Sequence, residues 1–434
     1  MKASMIFKNS IKITGLMACF IVTQAHAEGF SIYEFGPRGL ALGNSTMAGK
    51  ADPSVMATNP ALITKLKGRQ MQVGFSTISP SGKAAFDERY GFWPDVEVEK
   101  KTWFAPSAYY THQINDDWYF GIGQFSRFGV GFEYPDNWAG RYSSYMAGLV
   151  TGSVNANLAW RANEQLSLSA GLEVMYVTLD LKRKMPLTLP GLGRVNFFGT
   201  SPQVDVAIKK ADDIAFGFNA ALHYQINEQW GVGLLYRAPV HVEAVGKGHF
   251  QVENVPAAYY PLLAAYNNTT YKSKGTVMMP ESISGGIAWS PRSDLTVEAG
   301  ATWTRWSRFD RLEILTHMGQ GVTSNSPKDW DDAWRFNVGV EYEALDWLTL
   351  RAGYVFDQSP MTEAYEDYLV PSDDRNIYSI GAGFKWGQWT ADIAYAYVDI
   401  KGRKYEENLS HGVLATQMKD TETHVFSTAI GYRF

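Results

Sequence analysis

The chain has 434 residues, of which 14% are aromatic and 19% charged, and its formal net charge is −5. An acidic chain without a basic stripe argues against a nucleic-acid partner. Beyond the N-terminal segment, no stretch approaches the roughly 20 apolar residues that a membrane-spanning helix needs. This length allows two soluble domains or one large closed sheet.

Residues 1–27 have the features of a secretory signal peptide. Three lysines precede a short apolar core at residues 13–22, and Ala25-His26-Ala27 forms a small-x-small cleavage site. The apolar run is too short for a membrane anchor. Cleavage after Ala27 removes Cys19, the only cysteine, and changes the net charge from −5 to −8 because three lysines and no acids leave. A thiol-free mature chain suits an oxidising compartment.

Residues 28–67 are rich in Gly, Ala, Ser and Asn and lack the alternation of a strand. Asn59-Pro60-Ala61 resembles a helix start, with Asn59 as the N-cap and Pro60 at the first helical position. Such a segment could hang in the periplasm or fold into a barrel lumen. We favour a plug, or hatch, because a lumen of about fourteen strands is too wide to be filled by its own side chains.

From residue 68 to residue 434, period-two patterning predicts roughly fourteen strands. In residues 347–356 the apolar set faces one way, while Thr349, Arg351 and Gly353 face the other. In residues 295–304, Glu298 lies among small residues on one face. A charge in that position suits a water-filled lumen better than a packed core.

Short and long connections alternate strictly along this region. The short turns lie near residues 115–117, 162–164, 227–228, 291–293, 344–346 and 387–388. The long polar segments lie near residues 81–100, 134–146, 184–202, 251–274, 309–331, 361–374 and 402–416. This alternation predicts an all-β fold, a transmembrane antiparallel up-and-down β-barrel with tight periplasmic turns and long outer loops. A soluble sandwich would not show it.

The last fourteen or so residues alternate between large and small side chains. An ordinary edge strand would have the same pattern, but its recurrence along the chain favours the closing strand of a barrel. We expect a monomer surrounded by outer-membrane lipid. The barrel-assembly machinery is expected to recognise the C-terminal strand that ends at Phe434.

Several segments resemble, in order, the FadL family of outer-membrane channels for long-chain fatty acids, which includes aromatic-hydrocarbon transporters. The resemblance covers essentially the whole mature chain. Its motifs are residues 28–40, Asn59-Pro60-Ala61-Leu62-Ile63-Thr64, residues 106–118, Pro280-Glu281-Ser282, Asp332-Ala333-Trp334-Arg335 and Phe356-Asp357-Gln358-Ser359-Pro360. Either the Asn-Pro-Ala element or the element containing Asp357, Ser359 and Pro360 would be weak alone, but together they are specific.

The resemblance implies a fourteen-stranded barrel with a hatch from residue 28 to about residue 67. It also implies gating by displacement of the hatch start around Phe30, with Asn59, Pro60 and Ala61 in the hatch. A kink in the third strand would open the wall sideways, at Ser126-Arg127-Phe128-Gly129. Without the resemblance, this segment would be interpreted as a plain strand with an incidental glycine.

In the family, basic side chains meet the ligand carboxylate. Arg183 matches one such position, at the end of the predicted fifth strand. The second position holds Ser326, with Lys328 two residues further on. Lys328 could substitute for the expected lysine, or the ligand could lack a carboxylate. Either basic residue could also be an ordinary solvated loop charge.

The resemblance implies passive uptake of hydrophobic small molecules, most simply long-chain fatty acids, with no cofactor and no metal. Uptake of monoaromatic or alkane hydrocarbons is the alternative, and an apolar pocket alone would suffice for it. A general porin would have no use for residues 28–67. A barrel enzyme ranks lowest, because the sequence contains neither His-Glu-x-x-His nor Gly-x-Ser-x-Gly.

Overall fold

The computed structural model describes residues 29–191, 195–318, 322–370 and 373–434. The predicted signal peptide lies outside the described residues. No helix in the described part is long and apolar enough to cross a membrane.

Strands make up most of the described chain. They are β1 Arg69–Phe86, β2 Val96–Glu97, β3 Trp103–Gln113, β4 Trp118–Phe125, β5 Gly129–Glu133, β6 Met146–Arg161, β7 Leu166–Pro186, β8 Gln203–Gln225, β9 Trp230–Arg237, β10 Val240–Glu253, β11 Thr269–Met279, β12 Ser282–Arg292, β13 Leu295–Thr304, β14 Arg311–Thr316, β15 Val322–Pro327, β16 Ala333–Leu345, β17 Leu348–Asp357, β18 Arg375–Trp386, β19 Trp389–Ile400, β20 Lys404–Tyr405 and β21 Thr416–Arg433. The helices are α1 Pro37–Ala41 and the 3₁₀ helices Pro53–Ala57, Pro60–Lys65, Glu88–Tyr90, Ala139–Tyr142, Ala257–Leu263, Trp306–Arg308, Glu363–Tyr365 and Leu409–His411.

The strands form one antiparallel sheet that closes on itself. β1 pairs with β21 along its length, with Gln70 opposite Arg433. In the described residues, nine strands cross the wall unbroken. Five further crossings each consist of two consecutive strands, β4 with β5, β9 with β10, β11 with β12, β13 with β14 and β15 with β16. The fourteen-stranded barrel predicted from the sequence is confirmed.

The outside of the barrel carries an apolar belt. Leu172, Phe216 and Ile380 are 73%, 71% and 61% exposed. Near the short turns, Trp118 stacks on Trp160 and Trp230 stacks on Trp289. An apolar band flanked by aromatic girdles is the pattern of a lipid-facing barrel surface.

Five crossings are broken in the described residues, whereas the sequence predicted a break in the third crossing alone. The other four breaks lie side by side in the sheet, between β9 and β10, between β11 and β12, between β13 and β14, and between β15 and β16. The first contains Pro239 and the second Pro280. Proline cannot donate a hydrogen bond to a ladder, so both positions interrupt it. The third break contains the 3₁₀ helix Trp306–Arg308.

The segment before β1 lies inside the barrel and is called the hatch below. Its helix α1 packs against β17, β18 and β19, and the 3₁₀ helix Pro60–Lys65 packs against β6, β7 and β8. Gly233 shows how closely hatch and wall approach, because a Cβ atom there would lie 2.0 Å from the carbonyl oxygen of Met47. The hatch therefore fills the lumen in this part of the barrel.

Glu298 on β13 is an anchor for the hatch. The sequence suggested that this carboxylate faces lumen water, and the structure corrects that interpretation. Glu298 is buried and accepts hydrogen bonds from the backbone N–H groups of Met47, Ala48 at 2.8 Å and Gly49 at 2.9 Å. A carboxylate satisfied by several backbone donors is stable in a buried position.

The side chain of Asn59 forms hydrogen bonds both within the hatch and between the hatch and the wall. Its Oδ1 accepts from the N–H of Ala61 at 3.1 Å, and this bond caps the 3₁₀ helix that begins at Pro60. Its Nδ2 donates to the carbonyl oxygen of Met47 at 2.6 Å and to that of Leu222 on β8 at 3.0 Å. The side chain is fully buried.

We expect Asn59→Ala to loosen the hatch by about 3 kcal/mol, because it removes a cap and leaves buried carbonyl groups unpaired. Limited proteolysis of the purified protein should cut the hatch much faster while the barrel stays intact. Asn115→Ala is the matched control, since Asn115 caps an exposed turn through the N–H groups of Asp117 and Trp118. Equal hatch protection in both variants would contradict this role for Asn59.

Candidate functional site: two connected cavities and a wall gap

A cavity opens among the outer ends of the strands, and we call it the outer cavity. It encloses about 930 Å³ including its open mouth. Its walls are mostly apolar, and its lining includes Leu181, Met185, Val206, Ile208, Phe250, Leu312, Ile314, Met318 and Leu369. Hydroxyl and charged groups of Arg183, Ser324, Ser326 and Asp367 lie at the same cavity. A mostly apolar cavity with a few polar groups is typical of a ligand site.

Arg183 lies on β7 and lines the outer cavity. Its Nη2 donates to the Oγ of Ser324 at 3.3 Å. Among the described residues, no carboxylate lies within ion-pair distance of its guanidinium group. The cavity therefore contains a cation that retains hydrogen-bonding capacity for an anionic group.

Lys328, the other predicted carboxylate ligand, lies in a different environment. It is 1% exposed and does not line the outer cavity. Its ammonium group is paired with Asp367, which does line the cavity. Ser326, at the position where the family resemblance implies a basic residue, contacts the same carboxylate at 3.5 Å. The charge of Lys328 is therefore already balanced by Asp367.

A second cavity continues from the first toward the hatch, and we call it the inner cavity. The two share Leu181, Leu312 and Leu369. The inner cavity is lined by apolar side chains and one glycine, among them Val130, Leu149, Val177, Leu179, Val242, Val277 and Phe309, with Phe30 of the hatch also in its wall. Two mostly apolar cavities with three wall residues in common thus lie between the outer loops and the start of the hatch.

Phe30 is held in a box of aromatic rings. Its ring centroid lies 4.6 Å from that of Trp306, 5.3 Å from Phe309, 5.8 Å from Trp330 and 6.0 Å from Phe128. Edge-to-face contacts at these distances are favourable. Trp306 and Phe309 reach the box because the wall breaks between β13 and β14.

Gly29 allows the chain to enter this box. Its φ is +62°, and a Cβ atom there would lie 2.6 Å from the Trp330 ring and 2.7 Å from the Trp306 ring. Glycine avoids both the backbone strain and the clash. The described start of the hatch is therefore fitted closely to the aromatic box.

The hydrogen-bond ladder of the wall is interrupted beside this box. β3 pairs with β4 only from Ala108 to Gln113, so the outer residues Trp103 to Ser107 pair with β1 alone. β4 ends at Phe125 and β5 begins at Gly129, and residues 129–132 of β5 are all buried instead of alternating. The predicted kink residues Ser126, Arg127 and Phe128 occupy the break between these strands.

The hatch is bonded to the break itself. Ser31 forms an isolated antiparallel bridge with Phe128. The N–H of Ile32 donates to the carbonyl oxygen of Arg127, and the N–H of Gly129 donates to that of Phe30, each at 2.8 Å. The start of the hatch can therefore move away from the wall break only if this bridge and these hydrogen bonds are broken.

A buried ion cluster holds the break in place. Arg127 Nη1 lies 2.7 Å from Glu173 Oε2 on β7, and Arg237 Nη1 lies 3.9 Å from the same oxygen. Arg237 Nη2 also donates to the hatch carbonyl of Ala57 at 2.9 Å. Ser126 Oγ donates to the carbonyl oxygen of Thr151 on β6 at 2.7 Å.

The family motif at Asp357, Ser359 and Pro360 lies in a polar region and shapes a loop. Asp357 is fully buried and accepts from Arg375 Nη2 at 3.0 Å. The N–H of Ser359 donates to Asp374 Oδ1 at 3.0 Å, and the carbonyl of Pro360 accepts from the N–H of Asp331 at 2.8 Å.

The hatch contributes Glu34 to this polar region. Burial raises the pKa of Glu34 above its ordinary value, and the nearby guanidinium groups of Arg375 and Arg335 oppose the shift. The lumen beneath the aromatic box is therefore lined by charged groups, in contrast to the inner cavity.

Several residues of the site could not be recognised from the sequence. Asp367 and Trp330 lie in long loops, where no periodic pattern indicates which side chains face a cavity. Trp306 and Phe309 lie in an unpredicted wall break. Glu173 was visible only as an acid on an alternating strand, and its partners depend on strand register.

Comparison with known proteins gives the family. Residues 18–434 match the family described as "Outer membrane protein transport protein (OMPP1/FadL/TodX)". The chain is 25% identical over 406 residues to the long-chain fatty acid transport protein of Salmonella typhi, covering 89% of this chain and 91% of that protein. It is 26% identical over 465 residues to outer membrane protein P1 of Haemophilus influenzae, covering 94% and 96%.

Solved structures show the same fold. A Pseudomonas aeruginosa FadL homologue superposes with a TM-score of 0.82 at 21% identity, covering 93% of this chain and 99% of that chain. The toluene transporter TodX of P. putida gives a TM-score of 0.73 at 17% identity, covering 92% and 98%. The chain therefore belongs to the FadL/TodX/OMPP1 family of outer-membrane transport proteins, and it is a non-enzymatic β-barrel transporter of hydrophobic compounds in a Gram-negative outer membrane.

Proposed function

We propose that the protein takes up long-chain fatty acids passively. The observation that carries this choice is Arg183, a cation with no carboxylate within ion-pair distance among the described residues, in the wall of the mostly apolar outer cavity. A fatty acid has the matching chemistry, a carboxylate joined to a long apolar chain. The curated relative from Salmonella typhi bears the name of such a transporter.

The acyl chain enters through the outer cavity and extends into the inner cavity. Each methylene removed from water contributes about 0.8 kcal/mol. The carboxylate stays near Arg183, where a charge-assisted hydrogen bond orients the ligand. The shared wall residues Leu181, Leu312 and Leu369 give the chain a continuous apolar surface.

The ligand then leaves sideways through the wall. Phe30 lines the inner cavity, so withdrawal of the hatch start from its aromatic box lengthens the passage toward the break at residues 126–128. The outer part of β3, which pairs with β1 and not with β4, borders this break. An apolar ligand thereby avoids the charged lumen below, and its concentration gradient supplies the direction.

The need for a carboxylate is tested with Arg183→Ala. We expect oleate affinity of the detergent-solubilised protein to fall about 10- to 100-fold, the range of one hydrogen bond to a charged group. Methyl oleate should bind the unaltered and variant proteins equally, because it has no anion to pair. Isothermal titration with both ligands measures the difference.

Arg292→Ala is the matched control, since it removes the same charge beside an exposed turn where Arg292 pairs with Asp294. Equal losses for oleate and methyl oleate in Arg183→Ala would make Arg183 a structural residue. Unchanged oleate affinity would remove the reason for preferring a fatty acid.

Uptake of monoaromatic hydrocarbons is the second candidate. The apolar lining of the inner cavity and the pairing of Lys328 with Asp367 favour it. Lys182 at the outer cavity pairs with Glu133, so Arg183 is the one cation among the described residues of that cavity that has no carboxylate within ion-pair distance. Saturable binding of toluene in preference to oleate would select this function.

A further inference from the structure

Three lysines form a row on the outer surface of the barrel, away from both cavities. The ladder places Lys247 of β10 directly opposite Lys209 of β8 and directly opposite Lys272 of β11. All three side chains are exposed. Adjacent strands lie about 4.8 Å apart, so the lysine row spans about 10 Å across three strands.

The row continues onto the next strand. The N–H of His317, which follows β14, donates to the carbonyl oxygen of Lys272 at 2.9 Å, and the imidazole is exposed. Directly opposed like charges destabilise a sheet. A row of them indicates that another group offsets their repulsion.

Neighbouring carboxylates do not supply that group. No ion pair within the described residues involves any member of the lysine row. On the same face of β10, Glu243 pairs with Lys274 at 2.7 Å, and Glu253 at the end of the strand pairs with Lys184 at 2.9 Å. Asp213 accepts from the N–H groups of Ile214 and Glu243, each within 2.8 Å. We therefore infer that an external anion balances the charge of the lysine row.

The position of the lysine row along the barrel axis identifies the source of the anion. Toward the short turns, β8 carries the exposed apolar residues Ile214, Phe216 and Phe218. On β10, Val245 is 39% exposed two residues from Lys247. The row thus lies at the upper edge of the lipid-facing belt, on the side of the long outer loops, where lipid headgroups meet the barrel.

We propose that the lysine row binds the phosphates of a phosphorylated glycolipid in the outer leaflet, lipopolysaccharide in a Gram-negative outer membrane. Lysine ammonium groups bind phosphate oxygens as point charges. The acyl chains of the same molecule lie against the belt of Ile214, Phe216 and Phe218 below. This site is separate from the transport passage, which opens inside the barrel.

The test is binding of purified lipopolysaccharide to the detergent-solubilised protein, followed by native mass spectrometry and a titration. The variant replaces Lys209, Lys247 and Lys272 with Gln. Near an anionic lipid surface each lysine contributes about a fivefold factor, so we expect about a 100-fold loss of affinity. A control with Lys67→Gln, Lys385→Gln and Lys404→Gln removes the same charge from exposed sites elsewhere and should bind as the unaltered protein does.

The unaltered protein supplies a second measurement that does not depend on folding of the variant. Enzymatically dephosphorylated lipopolysaccharide should bind about as weakly as lipopolysaccharide binds to the triple variant. Equal affinity for the two lipids, or equal losses in the triple variant and the control, would overturn the proposal. Full displacement of the lipid by equimolar inorganic phosphate would also overturn it, because the acyl contacts would then contribute nothing.

Discussion

We expect the substitution Arg38→Ala to let small ions pass through a barrel that the hatch otherwise closes. Arg38 lies in helix α1 of the hatch and is buried. Its Nε donates to Glu341 Oε2 at 2.9 Å, and its Nη2 donates to the carbonyl oxygen of Lys50 at 3.0 Å. These contacts fasten the hatch to β16 and to itself.

The pair belongs to a longer chain of buried charges across the wall. Glu341 Oε2 also accepts from Arg351 Nε at 2.7 Å, and Arg351 Nη1 donates to Asp392 Oδ1 at 2.6 Å. Removing one partner from a buried pair costs about 3–5 kcal/mol, because the remaining charge is left with fewer partners. Glu341, Arg351 and Asp392 of the wall still pair with one another in the variant, so the loss of stabilising free energy falls on docking of the hatch.

Ion conductance in planar bilayers measures this loss. We expect the unaltered channel to be nearly closed and Arg38→Ala to conduct small ions steadily, with faster proteolysis of the hatch. Arg38→Lys keeps the positive charge but loses the planar guanidinium group with its forked N–H donors. Its conductance should lie between that of the unaltered channel and that of Arg38→Ala. A closed Arg38→Ala channel with a protected hatch would show that other contacts suffice to hold the plug.

Much of the barrel could be predicted from the sequence because each wall strand carries its own evidence. In residues 347–356 the apolar side chains predicted to share a face are those that point outward, as the exposure of Leu350, Tyr354 and Phe356 shows. The alternation reflects two different solvents on the two faces of every strand. That physical cause is local, so no knowledge of neighbouring strands is needed.

Contacts between distant segments could not be predicted in this way. The partner of Lys328 is Asp367, thirty-nine residues away in a loop without periodicity. The lysine row depends on the register of three strands, and no single strand reveals it. The hatch anchor at Glu298 was visible as an unusual inward charge, but its backbone partners appear only when the hatch is in place.

The polarity of the interior is one reason for proposing a route that leaves sideways through the wall. Below the aromatic box the lumen contains Glu34, Arg335, Arg375 and Asp357, all of which would lose hydration or partners to an apolar ligand. Beside the box no hydrogen-bond ladder joins β3 to β5 in the described residues. We therefore expect the contact between the hatch start and the wall break to control passage.

A reversible cross-link between Ser31 and Phe128 tests that claim most directly. Hydrogen bonds flank this pair on both sides, from Ile32 to Arg127 and from Gly129 to Phe30. It is thus a non-hydrogen-bonded antiparallel pair, with Cα atoms about 4.5 Å apart, within the range of a disulfide. The predicted mature chain has no cysteine of its own, so Ser31→Cys with Phe128→Cys can form a single defined bond.

The control is Ser76→Cys with Ser427→Cys, which joins β1 to β21 within the wall and does not tie the hatch to the wall. Uptake of radiolabelled oleate by cells is measured for each double variant, first oxidised and then reduced. We predict that oxidation stops uptake in the Ser31/Phe128 variant, that reduction restores it, and that the control transports in both states. Undiminished uptake by the oxidised Ser31/Phe128 variant would contradict a route that requires the hatch to leave the wall break.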